Sequence, residues 1–439
     1  MSQQETVLKN AFLAALAVAD PQIIVPQYLA KIFPVRCEPI GRCVVVGAGK
    51  ASASMASALE SYSKSHWPQV DIEGVVLTRY GHGSPTTHIR IIEAGHPVPD
   101  QAGMDGAKEI HRLVNELQAG DVLIALVSGG GSSLLTLPQV GISIEDMRQT
   151  TVALLRSGAP IEEMNVVRKH LSAVLGGNLA RVAIARGARV EALLISDVTG
   201  DSPADIASGP CAADYSTYQD ALDILAKYSL GEGPIPASVL LHLNRGLAGE
   251  VPETLKAGDV QNAPVNNHVI ATAYKSLEAA ADYIRTQGYE PVILGDTITG
   301  EAQDVGVTQA AMAREHLANQ TDKRLALISG GECTVTIPAG LKGRGGRCSE
   351  YLLSLFAASA DLPKMAALAA DTDGIDGSEQ NAGAWFTPII RQTAGEQGLL
   401  STQYLERHDC YGFFAQLGAL VETGPTLTNV NDFRIILLN

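Results

Sequence analysis

The sequence predicts an α/β protein of two domains, and three observations support this fold class. Five short apolar runs each pass directly into a loop of small residues, as buried parallel strands do at their carboxyl ends. The segments between the runs have helical periodicity, so strands and helices alternate. The chain of 439 residues is also long for a single hydrophobic core. The five runs are CVVVGAGKASAS, VLIALVSGGGSS, VEALLISDVTGD, RLALISGGECTV and MAALAADTDGID.

Two of the intervening segments carry clear helix signals. The segment DGAKEIHRLVNELQ places Ile110, Leu113, Val114 and Leu117 on one face. The segment AYKSLEAAADYIRTQG is amphipathic and ends at Gly288, a residue type that often caps helix C-termini. We therefore expect parallel strands that are covered by helices on both faces.

Proline and glycine are concentrated between the third and fourth apolar runs, which is typical of a domain boundary. The sequence therefore predicts an N-terminal domain over residues 1–235, a boundary region over 236–265 and a C-terminal domain over 266–439. The prolines of this stretch are Pro234, Pro236, Pro252 and Pro264.

The charge balance argues against some classes of partner. With 47 acidic and 32 basic residues the net charge is −15, which disfavours a nucleic-acid-binding surface. A few local cations can still bind a small anion, because the nearest charges dominate the electrostatic energy. The N-terminal segment predicts a helix without signal-peptide features, and no apolar run approaches the roughly 20 residues of a membrane span. We expect a soluble, cytoplasmic protein that binds neither nucleic acid nor membrane.

The cysteines form neither a CxxC pair nor a His/Cys cluster with zinc spacing. We expect scattered reduced thiols, as in a cytoplasmic protein. The six cysteines are Cys37, Cys43, Cys211, Cys333, Cys348 and Cys410.

The loop after the second apolar run has a backbone that a ligand could approach closely. Gly129, Gly130 and Gly131 stand between Ser128 and Ser132, and consecutive glycines let N–H groups point into a concavity. A helix that begins just afterwards would add free N–H groups and partial positive charge, which favours phosphate or carboxylate. A tight turn that binds nothing would have the same sequence, so this loop alone leaves both interpretations open.

The segment GAGKAS after the first run contributes Gly47, Gly49 and Lys50. It matches neither a P-loop nor the G-x-G-x-x-G fingerprint, because Ala51 and Ser52 stand where those motifs need other residues. Lys50 precedes a predicted helix N-terminus, where positive charge is unfavourable. A bound anion would remove that conflict, whereas a solvated lysine would leave it in place.

The stretch ALVSGGGSS recurs in part as ALISGGECT in the C-terminal half. The match predicts a second small-residue loop at a strand's carboxyl end, where open α/β sheets bind ligands. Two unrelated turns of a common type would match equally well, so the match does not establish duplication. The residues of this second loop are Ser329, Gly330, Gly331 and Glu332.

Acidic residues follow two other runs, with Asp197 after the third and Asp371, Asp373 and Asp376 after the fifth. Carboxylates at strand ends suit Mg²⁺, which prefers one or two carboxylates together with substrate phosphates. Each aspartate taken singly could instead form an Asx-turn. The two acidic loops beside the glycine loops favour a metal–nucleotide site.

Basic residues are concentrated in NVVRKHLS and in LKGRGGRCSE. The second stretch interleaves glycine with Arg344 and Arg347, whose guanidinium groups suit phosphate or carboxylate. The first could equally be one exposed helix face, and its role stays open.

Taken in order, these segments resemble the class II glycerate 2-kinase family, also called the MOFRL or tartrate-utilisation type. The matching stretches extend from residue 47 to residue 432. They are GAGKAS, AGHPVPD, LVSGGGSSLL, NVVRKHLS, ISDVTGDSPADIASGP, ISGGECTV, GRGGR, DTDGIDG and TGPTLTNVND. The resemblance implies a larger N-terminal Rossmann-like domain, a smaller C-terminal α/β domain of the MOFRL type and an active site in the cleft between them.

The resemblance also implies an activity and its partners. The reaction would be ATP-dependent phosphorylation of D-glycerate at its 2-hydroxyl, with Mg²⁺, and the partners would be these small molecules; a homodimer is left open. Lys50, Asp197 and Arg347 are implied as the catalytic core, and Asp371 or Asp373 as the metal ligand. Further implied binding residues are Gly47, Gly49, His96, Ser128, Gly129, Gly130, Gly131, Ser132, Ser329, Gly330, Gly331, Glu332, Arg344, Gly346, Thr426 and Asn429.

The chain departs from the family pattern at Asn178, where the family usually has arginine, and at Cys348 and Ser349, which replace Asn-Gln. Two other functions remain as alternatives. An NAD-dependent hydroxypyruvate reductase would need a dinucleotide fingerprint, which the first strand turn lacks. A non-catalytic sugar-phosphate-binding module would explain the glycine–serine loops but not the acidic loops or the Gly-Arg loop.

Overall fold

The computed structural model describes residues 2–34, 39, 41–228, 230, 235–260, 264–319, 323–338 and 340–439, so Cys37 and Pro234 lie outside the described residues. The chain divides into two compact units. The N-terminal unit is Ile24–Ile270, and the C-terminal unit combines Met1–Ile23 with Ala271–Asn439. The predicted N-terminal domain thus contributes its first helix to the C-terminal unit, and residues 236–265 belong to the N-terminal unit.

The N-terminal unit is built on a six-stranded sheet in the order β3-β2-β1-β4-β5-β6. Its strands are β1 (Arg42–Ala48), β2 (Asp71–Arg79), β3 (Ile89–Ala94), β4 (Val122–Val127), β5 (Arg189–Ile195) and β6 (Val265–Ala271). Its helices are α2 (Pro21–Ile32, which crosses into this unit), α3 (Ser52–His66), α4 (Gln101–Asn115), α5 (Gly131–Leu134), α6 (Ile144–Arg156), α7 (Ile161–Leu171), α8 (Asn178–Ala185), the 3₁₀ turn Ile206–Ser208, α9 (Tyr218–Lys227), α10 (Ala237–Leu247) and α11 (Ala257–Val260).

Strands β1 to β5 pair in parallel, which confirms the expectation for the first three apolar runs. β1 and β4 are neighbours, with Ala48 opposite Val127 at their carboxyl ends. Chain order reverses between these two strands, and open α/β sheets bind ligands at such a switch point. The topology therefore brings the loops after β1 and β4 together at the edge where a ligand is expected.

A helical layer occupies part of the predicted boundary region. Helices α6, α7, α9 and α10 share one apolar cluster that includes Leu154, Val167, Leu225, Val239 and Leu243. Val239 and Leu243 lie one turn apart on α10 and are fully buried. The proline-rich stretch therefore contributes a packed helix to this unit.

The C-terminal unit is built on a second six-stranded sheet in the order β11-β10-β9-β12-β8-β7. Its strands are β7 (Glu290–Glu301), β8 (Leu325–Thr334), β9 (Ala366–Asp371), β10 (Gly383–Phe386), β11 (Leu420–Val421) and β12 (Asp432–Leu438). Its helices are α1 (Gln3–Ala17), α12 (Ala273–Thr286), α13 (Ala302–Asn319), α14 (Arg347–Ala358), α15 (Pro388–Glu396), α16 (Ser401–Glu406) and α17 (Cys410–Gln416).

This second sheet is mixed, which corrects part of the sequence-based expectation. β8 pairs in parallel only with β7, whereas β9 is antiparallel to both of its neighbours. The cause is β12, which runs antiparallel between β8 and β9. β8 and β9 therefore still point the same way, and their carboxyl ends lie at one edge of the sheet together with the beginning of β12.

Helix α1 is a core element of the C-terminal unit. Leu8, Ala11 and Phe12 are buried in its main apolar cluster, and the Phe12 ring lies 5.7 Å from the ring of Phe433. By length and composition the helical stretch Gln3–Ile32 is apolar enough to cross a membrane, which the sequence analysis did not anticipate. Buried helices of globular cores satisfy the same criteria, so this finding is weak evidence for a membrane span.

Candidate active site

The loops after β1 and β4 are tied together by Ser128. Its hydroxyl accepts a hydrogen bond from the Ala51 amide at 3.0 Å, and its own amide donates to the Ala48 carbonyl at 3.2 Å. The Lys50 amide donates to the Gly129 carbonyl at 2.9 Å. The two loops predicted to bind an anion therefore form one hydrogen-bonded unit, which places half-buried Lys50 beside the glycine run.

Protein groups fill the space in front of several of these glycines. A Cβ at Gly130, whose φ is +81°, would lie 2.8 Å from His96 Nε2. A Cβ at Gly131 would lie 2.6 Å from the Ala207 Cβ. A side chain at Gly49 would collide with Ser128. Close packing of neighbouring loops thus requires these glycines, as the tight-turn interpretation predicts. The same packing places His96 next to Gly130.

Three amides of the loop take no part in its backbone hydrogen bonds. Ser128 and Gly131 donate within the loop pair. In the described part of the chain, the amides of Gly129, Gly130 and Ser132 donate to no backbone carbonyl. These three N–H groups can donate hydrogen bonds to an anionic ligand, so the anion-binding interpretation is compatible with the tight turn.

The loop after β5 completes this edge of the sheet and is strained. Half-buried Asp197 lies two residues beyond the end of β5. Farther along, Ala207 and Ser208 have φ values of +49° and +57°, a region that residues with a side chain rarely adopt. The Ser208 hydroxyl lies 2.8 Å from the Ser132 hydroxyl. Such strain is concentrated at functional sites.

Ser208 lies in the segment ISDVTGDSPADIASGP, in which only Asp197 was predicted as a site residue. No propensity rule predicts left-handed backbone at an alanine and a serine, because both residues usually avoid it. The glycine of the Ser-Gly-Pro triplet was the only available signal. Ser208 is therefore a candidate site residue that only the structure points to.

The segment NVVRKHLS, whose role the sequence left open, lies in α7, and its basic residues have different surroundings. Lys169 is buried and contacts Asp214 at 3.3 Å and Asp205 at 3.5 Å. His170 Nε2 lies 2.9 Å from Glu253 Oε1. Arg168 forms no ion pair with any described residue, and burial lowers the pKa of its guanidinium. Lys169 and His170 thus stabilise the fold, and Arg168 is the cation of this stretch that an anionic ligand could pair with.

The departures from the family pattern have structural roles. The Asn178 side chain is buried and donates to the Ser172 carbonyl at 2.9 Å. Cys348 and Ser349 are fully buried in the first turn of α14. Their amides donate to the two carboxylate oxygens of Asp376 at 2.9 Å and 2.8 Å.

The predicted second loop is wrong as a loop, because β8 continues through Ser329 to Thr334. Gly331 has a φ of +128°, and a side chain there would collide with the backbone of Ile298 on β7. The Ser329 hydroxyl is buried and accepts a hydrogen bond from Gln309 at 3.1 Å. The glycines therefore accommodate a neighbouring strand, and only Glu332 is exposed.

Arg347, the first residue of α14, is surrounded by carboxylates at the edge shared by β8, β9 and β12. Its Nε, Nη1 and Nη2 atoms donate to Asp432 at 2.7 Å, Glu332 at 2.6 Å and Asp371 at 2.9 Å. Burial opposes the charge, but these three carboxylates outweigh it and raise the pKa of the guanidinium. We call Arg347 and these three residues the arginine cage.

The remaining predicted residues of this unit lie in the loops around the cage. Arg344 donates to Glu379 at 3.2 Å and stacks over the ring of Tyr411. Gly346 is the N-cap of α14. The Thr426 amide donates to the Asp373 carbonyl at 3.1 Å. Asn429 is buried and accepts from the Asn431 amide at 3.2 Å.

The aspartates after β9 use their oxygens largely within the protein. Asp371 Oδ1 accepts from the Asp373 amide at 3.0 Å while its Oδ2 contacts Arg347. Asp373 Oδ1 accepts from the Ile375 amide at 2.9 Å. Both contacts are Asx-turns, the alternative considered from the sequence. The described residues contain no group of three or more His, Cys, Asp or Glu side chains arranged to hold a metal ion.

The described cysteines are buried and are not suited to act as nucleophiles. Burial raises the pKa of the Cys43 and Cys211 thiols to about 12 and keeps that of Cys348 well above its ordinary value. A thiol that stays protonated at neutral pH is unreactive. The five described cysteines are free, as the sequence predicted.

Asp376 predicts a measurable pH dependence of stability. Burial raises the pKa of its carboxyl group from 3.8 to about 6, although the amides at the start of α14 oppose this shift. Because the folded pKa exceeds the unfolded one, the contribution of this group is present below about pH 4 and is lost as the pH rises through 6. Relative to Asp376→Asn, the wild type should lose up to about 2–3 kcal/mol of stability over this interval.

Fluorescence can measure this effect in the C-terminal unit alone. The two tryptophans are Trp67 in the N-terminal unit and Trp385 in the C-terminal unit. Denaturant unfolding in a Trp67→Phe background, at pH 4 to 7, would report on the unit that holds Asp376. Equal pH slopes for the two proteins would show that Asp376 does not titrate in this range.

Two family models match the chain. A model described as "Domain of unknown function (DUF4147)" matches residues 7–244, and the MOFRL family model matches residues 325–432. Their matches fall in different halves of the chain, the first covering much of the N-terminal unit and the second lying within the C-terminal unit.

Several relatives match over nearly the whole length. A "Glycerate 2-kinase" of Pyrococcus horikoshii is 40% identical over 98% of this chain and 93% of its own. An Agrobacterium vitis protein named "Putative hydroxypyruvate reductase" is 45% identical over 98% of this chain and 94% of its own. The crystal structure of a Thermotoga maritima glycerate kinase has a TM-score of 0.85 at 35% identity and covers 98% of both chains.

The solved structure covers 98% of this chain at a TM-score of 0.85, so the fold as a whole is shared. Identities of 35–40% over nearly full length to glycerate kinases, including a solved structure with the same fold, exceed what a shared fold class alone would produce. The chain belongs to the glycerate kinase family of enzymes.

Proposed function

We propose that this enzyme transfers the γ-phosphoryl group of ATP to the 2-hydroxyl of D-glycerate, which yields 2-phosphoglycerate and ADP. The observation that carries the proposal is the loop pair at the switch point. There, backbone amides, Lys50 and Asp197 lie at the carboxyl edge of one parallel sheet, where doubly wound sheets bind phosphorylated ligands. The glycerate kinase relatives support the same reaction class.

In the N-terminal unit the roles follow from charge and position. Lys50 neutralises the transferred phosphoryl group or the glycerate carboxylate, and the amides of Gly129, Gly130 and Ser132 bind anionic oxygens. Asp197 accepts the proton of the 2-hydroxyl as its oxygen forms the new bond to phosphorus. The bond between phosphorus and the bridging oxygen of ADP breaks in the same step, and ADP leaves with that electron pair.

In the C-terminal unit Arg347 stabilises charge on the phosphoryl oxygens. Mg²⁺ is expected with ATP, because kinases of this kind neutralise polyphosphate charge with a divalent cation. The described residues do not form a preassembled metal centre, since Asp371 and Asp373 use oxygens for Arg347 and for Asx-turns. We therefore assign the ion to the nucleotide phosphates with at most one or two carboxylates, and no step of the reaction is derived through it.

Product analysis tests this function directly. The purified protein is incubated with ATP, Mg²⁺ and D-glycerate, and ¹H–³¹P correlation NMR identifies the carbon that carries the phosphoryl oxygen. We expect coupling of phosphorus to the proton on C2 together with stoichiometric release of ADP. Coupling to the C3 protons would mean that the 3-hydroxyl is phosphorylated and would contradict the proposed regioselectivity. Absence of ADP release would contradict the kinase function.

The name of the Agrobacterium vitis relative makes a reductase the second candidate. The structure disfavours it, because the turn after β1 is Gly-Ala-Gly-Lys-Ala-Ser and lacks the third glycine that lets a dinucleotide-binding helix pack close to its strand. Oxidation of NADH or NADPH by hydroxypyruvate, without ATP, would establish the reductase. The same preparation should show no such oxidation above the rate without enzyme.

A further inference from the structure

Asp432 connects the arginine cage to a second, buried guanidinium. Its Oδ1 accepts from Arg347 Nε at 2.7 Å, and its Oδ2 accepts from Arg434 Nη2 at 2.7 Å. The Asp432 side chain is completely buried. One carboxylate therefore bridges two arginines, and neither the sequence analysis nor the proposed reaction gives it a role.

The backbone fixes this carboxylate. Asp432 is the first residue of β12, where it stands opposite Gly331 of β8 and Asp371 of β9. Because β12 is paired with a strand on each side, its backbone at Asp432 cannot shift without disturbing both pairings. The backbone that carries the Asp432 carboxylate is thus held from both sides.

Arg434 holds the carboxylate from its other side. Arg434 is 1% exposed, donates to the Gly330 carbonyl at 3.3 Å and to Cys333 Sγ at 3.1 Å, and lies over the ring of Tyr351. A buried guanidinium with this many partners is immobile, and it supplies the positive charge that a buried carboxylate requires. Arg434 and Asp432 therefore form a rigid support for the Arg347 guanidinium.

The three carboxylates of the cage differ in how readily they can be replaced. The Asp432 and Asp371 side chains are 0% and 7% exposed, whereas the Glu332 side chain is 57% exposed and contacts Arg347 through Nη1. Nη1 is thus the guanidinium nitrogen whose carboxylate partner is exposed to solvent. An incoming phosphate oxygen can replace Glu332 at Nη1 while Nε stays on Asp432.

We propose that Asp432 is a positioning residue of the reaction, which holds Arg347 by Nε so that its Nη1 edge is presented to the transferred phosphoryl group in exchange for Glu332. The inference rests on the role proposed above for Arg347. In this proposal Asp432 does not contact the substrate. Its consequence is kinetic, because loss of orientation weakens an interaction made mainly in the transition state.

Asp432→Asn tests the inference, because it keeps the shape of the side chain and removes the charge that orients Arg347. We expect kcat to fall by roughly 10–100-fold, with the KM for D-glycerate changed by less than about threefold. Asp432→Glu keeps the charge but displaces the carboxylate, so it should fold and still lose kcat. It serves as the second variant if Asp432→Asn does not fold.

Asp376→Asn is the matched control. Asp376 is buried and holds the same end of α14 through the amides of Cys348 and Ser349, but it does not touch the Arg347 guanidinium. We expect this control to fold and to keep kcat within about threefold. An equal loss of kcat in Asp376→Asn and Asp432→Asn would mean that both changes merely loosen α14, and the inference would fail.

Chemical rescue separates positioning from general stability. In Arg347→Ala, millimolar guanidinium should occupy the arginine cage and restore part of kcat, because its carboxylates remain in place. In the double variant Arg347→Ala, Asp432→Asn this restoration should be at least about tenfold weaker. Equal rescue in both variants would overturn the inference. Full activity of Arg347→Ala without guanidinium would instead refute the role proposed for Arg347.

Discussion

Replacing Lys50 by alanine is expected to lower kcat by about 100-fold or more, which is the size of effect seen when one preorganised charge is removed from a reaction centre. Lys50 is half-buried between β1 and the first turn of α3, beside the glycine run. The dipole of α3 disfavours a cation at this end of the helix. Removing the lysine should impair turnover and leave the protein folded.

Steady-state kinetics with D-glycerate and ATP, together with a thermal melt, would measure both effects. Lys64→Ala is the matched control, since Lys64 lies in the last turn of the same helix and is exposed. We expect kcat of the control to stay within about twofold of the wild type. Near-normal turnover of Lys50→Ala would exclude Lys50 from the mechanism.

Replacing Asp197 by asparagine should abolish most turnover while the protein stays folded and binds ATP. Asparagine keeps the shape of the side chain but cannot accept the proton of the 2-hydroxyl, and loss of a general base typically costs 10²–10⁴-fold. Asp197 lies two residues after β5, in a loop that the strained Ser208 segment continues. The loss should appear in kcat, with little change in the dissociation constant for ATP.

Asp201→Asn is an isosteric control in the same loop. Asp201 has a φ of +54°, which asparagine also tolerates, so the backbone should not change. Calorimetric titration with a non-hydrolysable ATP analogue and circular dichroism would accompany the kinetics. If Asp197→Asn unfolds or no longer binds nucleotide, the residue has a structural role and the base lies elsewhere.

The N-terminal part of the site was predictable because parallel strands end at a common edge. Once GAGKAS, SGGGSS and SDVTGD are interpreted as loops after parallel strands, they are expected at one edge of the sheet. The structure adds that β1 pairs with β4 and β4 with β5, which makes these loops neighbours. The sequence could not distinguish glycines needed for a ligand from glycines needed for packing. His96 facing Gly130 and Ala207 facing Gly131 show that packing is a large part of the reason.

The C-terminal part was less predictable because its sheet is mixed. Nothing in the run RLALISGGECTV distinguishes a strand that continues through its glycines from one that turns at them, and the decisive neighbour is Ile298 on another strand. Asp432 is 85 residues from its partner Arg347. Their contact depends on β12 entering the sheet between β8 and β9, which local periodicity does not reveal.

The central position of β12 also constrains the order in which this protein can fold. Residues 432–438 form β12, which lies between β8 and β9 in the sheet but is synthesised after both. Until β12 has been synthesised, β8 and β9 lack the strand that pairs with each of them. Helix α1 is synthesised first but packs against α12, which follows more than 250 residues later in the chain. Its apolar residues Leu8 and Phe12 are not covered until then. Strands β1 to β5 need no such late arrival to pair with one another. During translation the C-terminal unit therefore completes its central sheet later than the N-terminal unit does.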